Sequence, residues 1–262
     1  MFRSKTQKIE RLDFIIAGTQ KGGTSALHYH LDQHPNLTMA HSEEAHMIDH
    51  PRRHFFDDEE RFAGEVSYDI LHEGVRLKRQ SLIVGSCTPI YTYWKPAMER
   101  ISKYHPAIKL IVLLRNPIDR AFSQWNMNRD RKRETMGFLE AIAEERSQSQ
   151  AELSLQPRRT SYLDRGLYFE QMERVFRFFP RQQVCVIKFE NLRKNTLEVV
   201  NGVFTFLGVP PLAKVKNKEQ NRIPYERRIS PEERRYLYRF YEEDIARLEK
   251  LLKWDCSDWK QV

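Results

Sequence analysis

Cysteine is scarce in this sequence, and its scarcity excludes two kinds of scaffold. The 262 residues include three cysteines, Cys87, Cys185 and Cys256. They are widely separated and odd in number, whereas disulfide frameworks and cysteine-ligated metal sites need paired or closely spaced cysteines. The sequence therefore predicts no disulfide network and favours a reducing compartment. His46, His50 and His54 recur at helical spacing and are an alternative metal site, but without a cysteine or a paired motif to support it we expect no metal.

Long apolar runs are also missing. A membrane-spanning helix needs about 20 consecutive apolar residues, and the longest apolar stretch here, residues 108–114, is interrupted by Lys109. The first residues are mostly polar and charged, and they lack the apolar stretch and small-residue cleavage site of a secretory signal. We therefore expect a cytoplasmic protein without a membrane partner.

Negative charge is in deficit, because 44 Lys and Arg residues against 36 Asp and Glu residues leave a formal net charge of +8. A positive surface attracts anions, which include nucleotides, acidic acceptors, nucleic acids and membrane surfaces. Charge alone does not choose among them. However, no run of five or more basic residues marks a nucleic-acid tail, so we expect no nucleic-acid partner.

Short apolar runs alternate with helical patterns along the chain, which is typical of a parallel sheet with crossover helices. Strands are predicted at residues 13–17, 82–84, 109–114 and 184–189, and helices at residues 24–33, 95–104, 118–129, 167–179 and 196–207. The chain is long enough to bury one sizeable core and shows no internal repeat. We expect a single α/β domain across residues 1–262, with a central parallel sheet flanked by helices.

Two helix ends have clear signals. Ser230, Pro231 and Glu233 supply an N-cap, a first-turn proline and a capping-box acid for a last long helix. Gly208 suits a left-handed helix stop. Residues 130–160 have weak periodicity and are predicted to form a surface helix plus a loop.

The strongest functional signal is a glycine turn within residues 14–27, FIIAGTQKGGTSAL, where an apolar strand leads into a helix. Gly22 and Gly23 let backbone N–H groups approach an anion closely, and the helix N-terminus adds partial positive charge. Three side chains supply further donors: Lys21, Thr24 and Ser25. The turn therefore predicts a phosphate site.

The glycine turn is similar to the nucleotide P-loop but departs from its pattern, G-x-x-x-x-G-K-[ST]. Thr24 stands where the lysine should be, and Lys21 comes earlier. A metal-nucleotide site also needs an acid at the end of a neighbouring strand, yet the strand at residues 109–114 leads into Arg115, which favours anions over Mg²⁺. A kinase that uses Mg-ATP is therefore the weaker alternative.

A second strand-to-helix junction has the same character. Residues 113–125, LLRNPIDRAFSQW, leave a buried strand and enter a helix with Pro117 in its first turn. Arg120 and Ser123 lie one turn apart and can face one ligand together with Arg115. Two separate anion sites imply a cosubstrate with two phosphate groups. A non-catalytic protein that binds anionic ligands is a further alternative, but focused motifs at strand ends fit poorly with diffuse, salt-dependent binding.

The two motifs together resemble the superfamily of sulfotransferases that use 3'-phosphoadenosine 5'-phosphosulfate (PAPS), in particular its heparan sulfate and carbohydrate branch. Further similarity runs through residues 44–46, 88–89, 165–168 and 177–180. The resemblance implies a P-loop-like fold in which the glycine turn cradles the 5'-phosphosulfate and Arg115 and Ser123 hold the 3'-phosphate. It also implies donor contacts from Tyr168 and from a late polar loop, residues 217–225 with Arg222, for which a solvated loop is an equally good account.

By the same resemblance, the reaction is a direct in-line displacement in which Lys21 stabilises the departing phosphate. A base must take the acceptor proton. Glu44 matches the glutamate that acts as base in the similar carbohydrate enzymes, and His46 competes with it because the unperturbed pKa of imidazole lies near neutrality. The chain departs from those enzymes at residues 86–89, SCTP, where several of them have an acid and a lysine.

The acceptor site is expected beyond the strand ends, lined by residues 41–56, 91–94 and 125–162. Four aromatic residues there are candidates either for stacking on a flat ligand or for the core: Tyr91, Tyr93, Trp94 and Trp125. The membrane anchor and disulfides of animal carbohydrate sulfotransferases are not expected here. We therefore expect a bacterial enzyme that acts on a hydroxyl or amine of a small polar acceptor, either a saccharide or a secondary metabolite such as an alkaloid or polyketide.

Overall fold

The structure, a computed structural model, describes residues 6–40, 55–73, 75–77, 83–147, 161–216, 225 and 227–261. The strands in these ranges are β1 (Thr6–Gln7), β2 (Phe14–Gly18), β3 (Leu37–Met39), β4 (Val75–Arg76), β5 (Ile83–Cys87), β6 (Lys109–Leu114) and β7 (Val184–Lys188). The helices are α1 (Thr24–Leu31), α2 (Asp69–His72), α3 (Ala97–Tyr104), α4 (Pro117–Asp130), α5 (Phe138–Ser147), α6 (Tyr168–Phe178), α7 (Phe189–Lys194), α8 (Thr196–Leu207) and α9 (Pro231–Leu252).

The predicted α/β class is confirmed. Five strands form a central sheet in the order β3-β5-β2-β6-β7. β2 pairs in parallel with both β5 and β6, and β3 pairs in parallel with β5. β1 and β4 form a separate antiparallel pair. The four predicted strands lie at β2, β5, β6 and β7, whereas β1, β3 and β4 were not predicted, because elements of two or three residues are too short to show a period.

The central sheet is buried on both faces. In β2, Phe14 and Ile16 belong to a hydrophobic cluster on one face, and Ile15 and Ala17, which alternate with them, are also fully buried. This two-sided burial explains why the strand reads as a continuous apolar run. Helices α1 and α8 supply six members of the cluster: Leu27, Leu31, Val200, Val203, Phe204 and Leu207.

The predicted helix ends are confirmed at two places. The Ser230 hydroxyl accepts from the Glu233 N–H at 3.1 Å, and the Glu233 carboxylate accepts from the Ser230 N–H at 2.7 Å, so α9 begins with a complete capping box. α8 ends at Gly208, whose φ is 87°. α3 begins two residues later than predicted, because Pro96 disfavours a helical Lys95.

Contacts divide the chain into two compact units. The first comprises Met1–Leu113 and Arg174–Gln220, and the second comprises Leu114–Glu173 and Asn221–Val262. The first unit contains the central sheet, apart from the last residue of β6, and the second contains α4, α5 and α9. None of the helices in the described part of the chain combines the length and apolar character that a bilayer crossing requires.

Candidate functional site

The glycine turn follows β2 in the first unit and is tied to the neighbouring strand β6. The main-chain N–H and the hydroxyl of Thr19 both donate to the Leu113 carbonyl oxygen, at 2.9 and 2.8 Å. The Gly22 N–H donates to the Thr19 carbonyl oxygen at 2.9 Å and closes the turn. These bonds hold the turn at the carboxyl end of β2, where ligands of parallel α/β sheets bind.

The turn has no room for side chains at its two glycines. A Cβ atom on Gly22 would lie 2.6 Å from the Thr19 hydroxyl oxygen and 2.7 Å from the Leu113 carbonyl oxygen, and one on Gly23 would lie 2.5 Å from the Phe189 ring. Gly23 also has a φ of 97°, in the left-handed region that favours glycine. Both glycines are therefore required by the close packing of the turn against Thr19, Leu113 and Phe189.

Lys21 has a φ of 66°, a conformation that is unfavourable for a residue with a side chain. Such strained positions cluster at ligand sites. α1 begins three residues later at Thr24, and its N-cap residue is Gly23, which has no side chain to cap the helix. Thr24 is buried, Lys21 is half-buried and Ser25 is exposed. The turn thus joins a lysine, two hydroxyl groups and the positive end of a helix, a combination that suits a phosphate.

The second motif begins α4 in the second unit. The Asn116 side chain accepts from the Ile118 N–H at 3.0 Å, and Pro117 occupies the first turn as predicted. Arg115 is half-buried and Ser123 is 5% exposed. The junction is therefore a capped helix start that follows directly on a buried strand.

Arg120 does not face a ligand beside Ser123, as the one-turn spacing had suggested. Its side chain is 0% exposed. Its guanidinium donates to the Gln124 side-chain oxygen at 2.7 Å and to the Tyr162 carbonyl oxygen. These bonds hold the Arg120 side chain inside the second unit. Arg115, which is half-buried, is the more exposed of the two arginines in this motif.

Tyr168 is a buried residue that is bonded to the second motif. It is 0% exposed, and its hydroxyl donates to the Arg115 carbonyl oxygen at 2.9 Å. Its main-chain N–H donates to the Asp244 carboxylate at 2.8 Å. Tyr168 therefore supports the backbone of Arg115 from within the second unit.

Two of the four aromatic candidates belong to the core. Tyr91 is 2% exposed, and its ring centroid lies 5.6 Å from that of Phe56. Trp125 is 3% exposed and donates from Nε1 to the Met136 carbonyl oxygen at 3.1 Å. The other two, Tyr93 and Trp94, are partly exposed and stay candidates for acceptor contact.

Several predicted residues lie outside the described part of the chain: Glu44, His46 and Arg222. Within the described ranges, no three His, Cys, Asp or Glu side chains come together as metal ligands. Sequence reasoning missed the roles of Thr19, Phe189 and Asp244. Thr19 lies within the glycine turn, but its hydroxyl bonds to Leu113, 94 positions away in the chain. Phe189 lies against Gly23, and Asp244 bonds to Tyr168. These contacts join distant parts of the chain, so no local pattern could have found them.

A family model described as a sulfotransferase domain matches residues 11–249. The chain belongs to the sulfotransferase family. Two similar proteins act on heparan sulfate by their names. This sulfotransferase is 29% identical to mouse heparan sulfate glucosamine 3-O-sulfotransferase 5 over 200 residues, 75% of this chain and 53% of that protein. It is 27% identical to human bifunctional heparan sulfate N-deacetylase/N-sulfotransferase 2 over 221 residues, 79% of this chain and 23% of that protein. The matched part of the chain thus spans about half the length of the first relative and about a quarter of the second.

Solved structures agree with the family. A sulfotransferase from Alicyclobacillus acidocaldarius is 31% identical and superposes with a TM-score of 0.77, covering 97% of this chain and 100% of that one. The mouse sulfotransferase SULT7A1 complexed with PAP shares the fold at 14% identity and a TM-score of 0.53, over 91% of this chain and 86% of that one. The predicted sulfotransferase fold, P-loop-like with a central parallel sheet, is confirmed.

Proposed function

We propose that this sulfotransferase moves a sulfuryl group from PAPS to a hydroxyl or amine of a small polar acceptor. The glycine turn is the observation that carries the proposal. Its backbone leaves no space for a Cβ at Gly22, and it presents Lys21 and the start of α1 at the end of a buried strand. A terminal phosphate group fits this arrangement, because N–H groups, an ammonium group and a helix N-terminus all favour negative charge.

The second motif supports a donor with two phosphate groups. Each motif follows the carboxyl end of its strand, and β2 and β6 are neighbours in the sheet. In our proposal Lys21, Gly22, Gly23, Thr24 and Ser25 bind the 5'-phosphosulfate. Arg115 and Ser123 bind the 3'-phosphate, Tyr168 acts on that site through the Arg115 backbone, and Arg222 contributes from the late loop.

The reaction places two demands on the chain. PAPS supplies the sulfuryl group and a phosphate leaving group, so the acceptor oxygen or nitrogen forms a bond to sulfur as the sulfur–oxygen bond to the phosphate breaks. Lys21 offsets the negative charge that develops on the departing phosphate. Glu44 takes the acceptor proton in our proposal, with His46 as the alternative base. The products are the sulfated acceptor and 3'-phosphoadenosine 5'-phosphate.

The named relatives and two aromatic residues indicate which acceptors to test. The two heparan sulfate relatives are named for an O-sulfation and an N-sulfation, so saccharides with a free hydroxyl or amine are the first acceptors to test. Tyr93 and Trp94, which are partly exposed, offer flat surfaces for a sugar or an aromatic secondary metabolite. We also propose that the chain works as one domain, because the family model spans both units. Its three free cysteines suit a cytoplasmic setting.

The proposal is tested by turnover. The full chain is incubated with PAPS and a panel of small saccharides and phenolic or amine metabolites, and formation of 3'-phosphoadenosine 5'-phosphate is followed. We expect acceptor-dependent turnover that Glu44→Gln lowers by about 10²-fold or more, with an unchanged melting temperature. Transfer of phosphate from ATP in place of sulfuryl transfer would contradict the proposal.

A further inference from the structure

Residues 162–169, which we call the brace, connect the region after α5 to the start of α6 in the second unit. One end of the brace is held by Glu145 on α5. Its carboxylate accepts the main-chain N–H groups of Tyr162, Leu163 and Asp164 at 2.6, 2.8 and 3.0 Å. Glu145 is 5% exposed, so these three bonds satisfy a carboxylate that water scarcely reaches.

The other end of the brace is held by Asp244 on α9. Its two oxygens accept the N–H groups of Tyr168 at 2.8 Å and Phe169 at 3.1 Å, which are the first two residues of α6. Arg247, nearly one turn further along α9, lies with its guanidinium carbon 3.9 Å from the centroid of the Phe169 ring. A carboxylate that accepts the first N–H groups of a helix acts as its cap.

The brace is bonded to the second phosphate motif at two points. The Tyr168 hydroxyl donates to the Arg115 carbonyl oxygen at 2.9 Å, and the Arg120 guanidinium donates to the Tyr162 carbonyl oxygen. A displacement of the start of α6 is therefore transmitted to Arg115. Charge recognition by a guanidinium group depends on its placement within a fraction of an ångström.

We infer that Asp244 is a positioning residue for the 3'-phosphate site: it caps α6, fixes Tyr168 and, through the Tyr168 hydroxyl, sets the backbone of Arg115. The inference rests on the proposed function, in which Arg115 binds the 3'-phosphate. Asp244 touches neither substrate in this account, and its effect reaches the site through two hydrogen bonds in series.

Asp244 keeps its charge at a site that disfavours it. Burial raises the pKa of Asp244 to about 6, although its two main-chain N–H bonds and the Arg247 charge lower it. The other charged or titratable groups that face it are Glu170 on α6 and Tyr241 on α9. Protonation of Asp244 removes one of its two acceptor sites, so the cap on α6 weakens as the pH falls below about 6.

The test compares affinities for two nucleotides by calorimetry: 3'-phosphoadenosine 5'-phosphate, and 5'-AMP, which lacks the 3'-phosphate. Asp244→Asn removes the charge and one acceptor at constant size, and Tyr168→Phe removes the hydroxyl group that donates to Arg115. We expect each variant to bind the bisphosphate about three- to tenfold more weakly and 5'-AMP as the wild type does. The double variant should lose no more affinity for the bisphosphate than the single variant with the larger loss, because the two residues act in series.

Glu249→Gln is the matched control. Glu249 lies five residues after Asp244 on α9. It accepts a main-chain N–H, that of Cys256, at 2.9 Å and a bond from the Lys260 ammonium group at 2.7 Å, and both of these partners lie outside the brace. Glu249→Gln should leave both affinities unchanged. If Asp244→Asn does not fold, wild-type affinity of Tyr168→Phe for the bisphosphate still overturns the inference, because the proposed effect of Asp244 passes through the Tyr168 hydroxyl.

The outcomes separate the inference from the proposed function. Wild-type affinity for the bisphosphate in the folded variants, or an equal loss for both nucleotides, overturns the role of Asp244 and leaves the proposed function standing. A wild type that does not prefer the bisphosphate to 5'-AMP overturns the proposed function and this inference with it.

The pH profile gives a readout that a purely structural role would not change. The ratio of wild-type to Asp244→Asn affinity for the bisphosphate should be constant above about pH 7 and fall toward one below about pH 5, as the wild-type carboxyl group becomes neutral. Phosphate groups of the ligand titrate in the same range, but their effect cancels in the ratio. A ratio above one that does not change with pH contradicts the inference.

Discussion

Gly22 is the residue at which the space around the backbone matters most for the donor site. A Cβ there would lie 2.6 Å from the Thr19 hydroxyl oxygen, so Gly22→Ala must displace the turn. We expect it to weaken binding of 3'-phosphoadenosine 5'-phosphate by about tenfold or more, measured by calorimetry. Gly202→Ala is the control, because nothing lies within 4 Å of its Cβ position in α8. It should leave the affinity unchanged and raise the free energy of unfolding by about 0.5–1 kcal/mol.

Lys21 is expected to act in the transition state. Lys21→Ala should lower kcat for sulfuryl transfer by about 10²–10³-fold, because the charge on the leaving phosphate loses its partner. Steady-state kinetics with PAPS measure the effect. Lys21→Gly controls for the backbone, since glycine adopts the φ of 66° without strain. Both variants should lose kcat alike, and a Gly variant with wild-type kcat would contradict a role for the ammonium group.

The residues that the sequence revealed are those whose chemistry is local. Lys21, Gly22 and Gly23 stand together between a strand and a helix, so their pattern is visible without a structure. The bond from Tyr168 to Arg115 joins residues 53 positions apart, and no spacing rule predicts it. Arg120 shows the opposite error, a ligand contact predicted where the structure has a buried side chain. A basic residue at helical spacing from Ser123 has the pattern of an anion-binding residue, and only its burial shows otherwise.

At the scale of elements, the start of α9 has a pH-dependent stability. Burial raises the pKa of Glu233, but hydrogen bonds from Arg227 and Ser230 outweigh it and hold the pKa below its usual value. The ionised carboxylate therefore stabilises the fold at neutral pH, and this contribution is lost as the pH falls below about 4.5. Glu233→Gln should destabilise by about 0.5–1 kcal/mol at pH 7 in thermal melts, and the effect should shrink as the pH falls and the wild-type carboxylate is protonated.

Glu232→Gln is the control for that element. Glu232 is exposed in the same first turn of α9, so it shares the helix position but not the capping box. It should change the stability by less than Glu233→Gln at neutral pH. A pH-independent difference between wild type and Glu233→Gln would contradict the assignment to the ionised carboxylate.

Elements with their own sequence signals were predicted well, and elements made by their surroundings were not. β2 and β6 are mostly apolar runs of five and six residues, and the N-terminal cap of α9 is specified by three neighbouring residues. β3 has three residues and exists because it pairs in parallel with β5. Its position at the sheet edge depends on tertiary contacts, which override local propensity.

At the scale of the whole molecule, the net charge of +8 predicts salt-sensitive donor binding. Positive surface charge raises the local concentration of an anionic nucleotide, and salt screens it. Raising NaCl from about 50 to about 500 mM should weaken bisphosphate binding by about three- to tenfold, and 5'-AMP binding by less, because 5'-AMP has fewer charges. Equal salt dependence for both nucleotides, measured by calorimetry, would contradict a role for charge in selecting the donor.

The family model spans residues 11–249. It therefore includes residues of both compact units, which are defined by the contacts within each of them. Motif order along the chain was enough to predict the family, since the glycine turn and the Arg115 motif occur in a fixed sequence. The identity of the acceptor was not predictable in the same way, because proteins that share a fold and a donor site can act on different acceptors.

The most direct test is calorimetric binding of 3'-phosphoadenosine 5'-phosphate to the full chain, compared with binding of ATP, each in the absence and in the presence of Mg²⁺. We expect the bisphosphate to bind selectively, with an affinity that Gly22→Ala lowers. A preference for ATP that appears only with Mg²⁺ would contradict this expectation, because the glycine turn would then serve a nucleotide kinase.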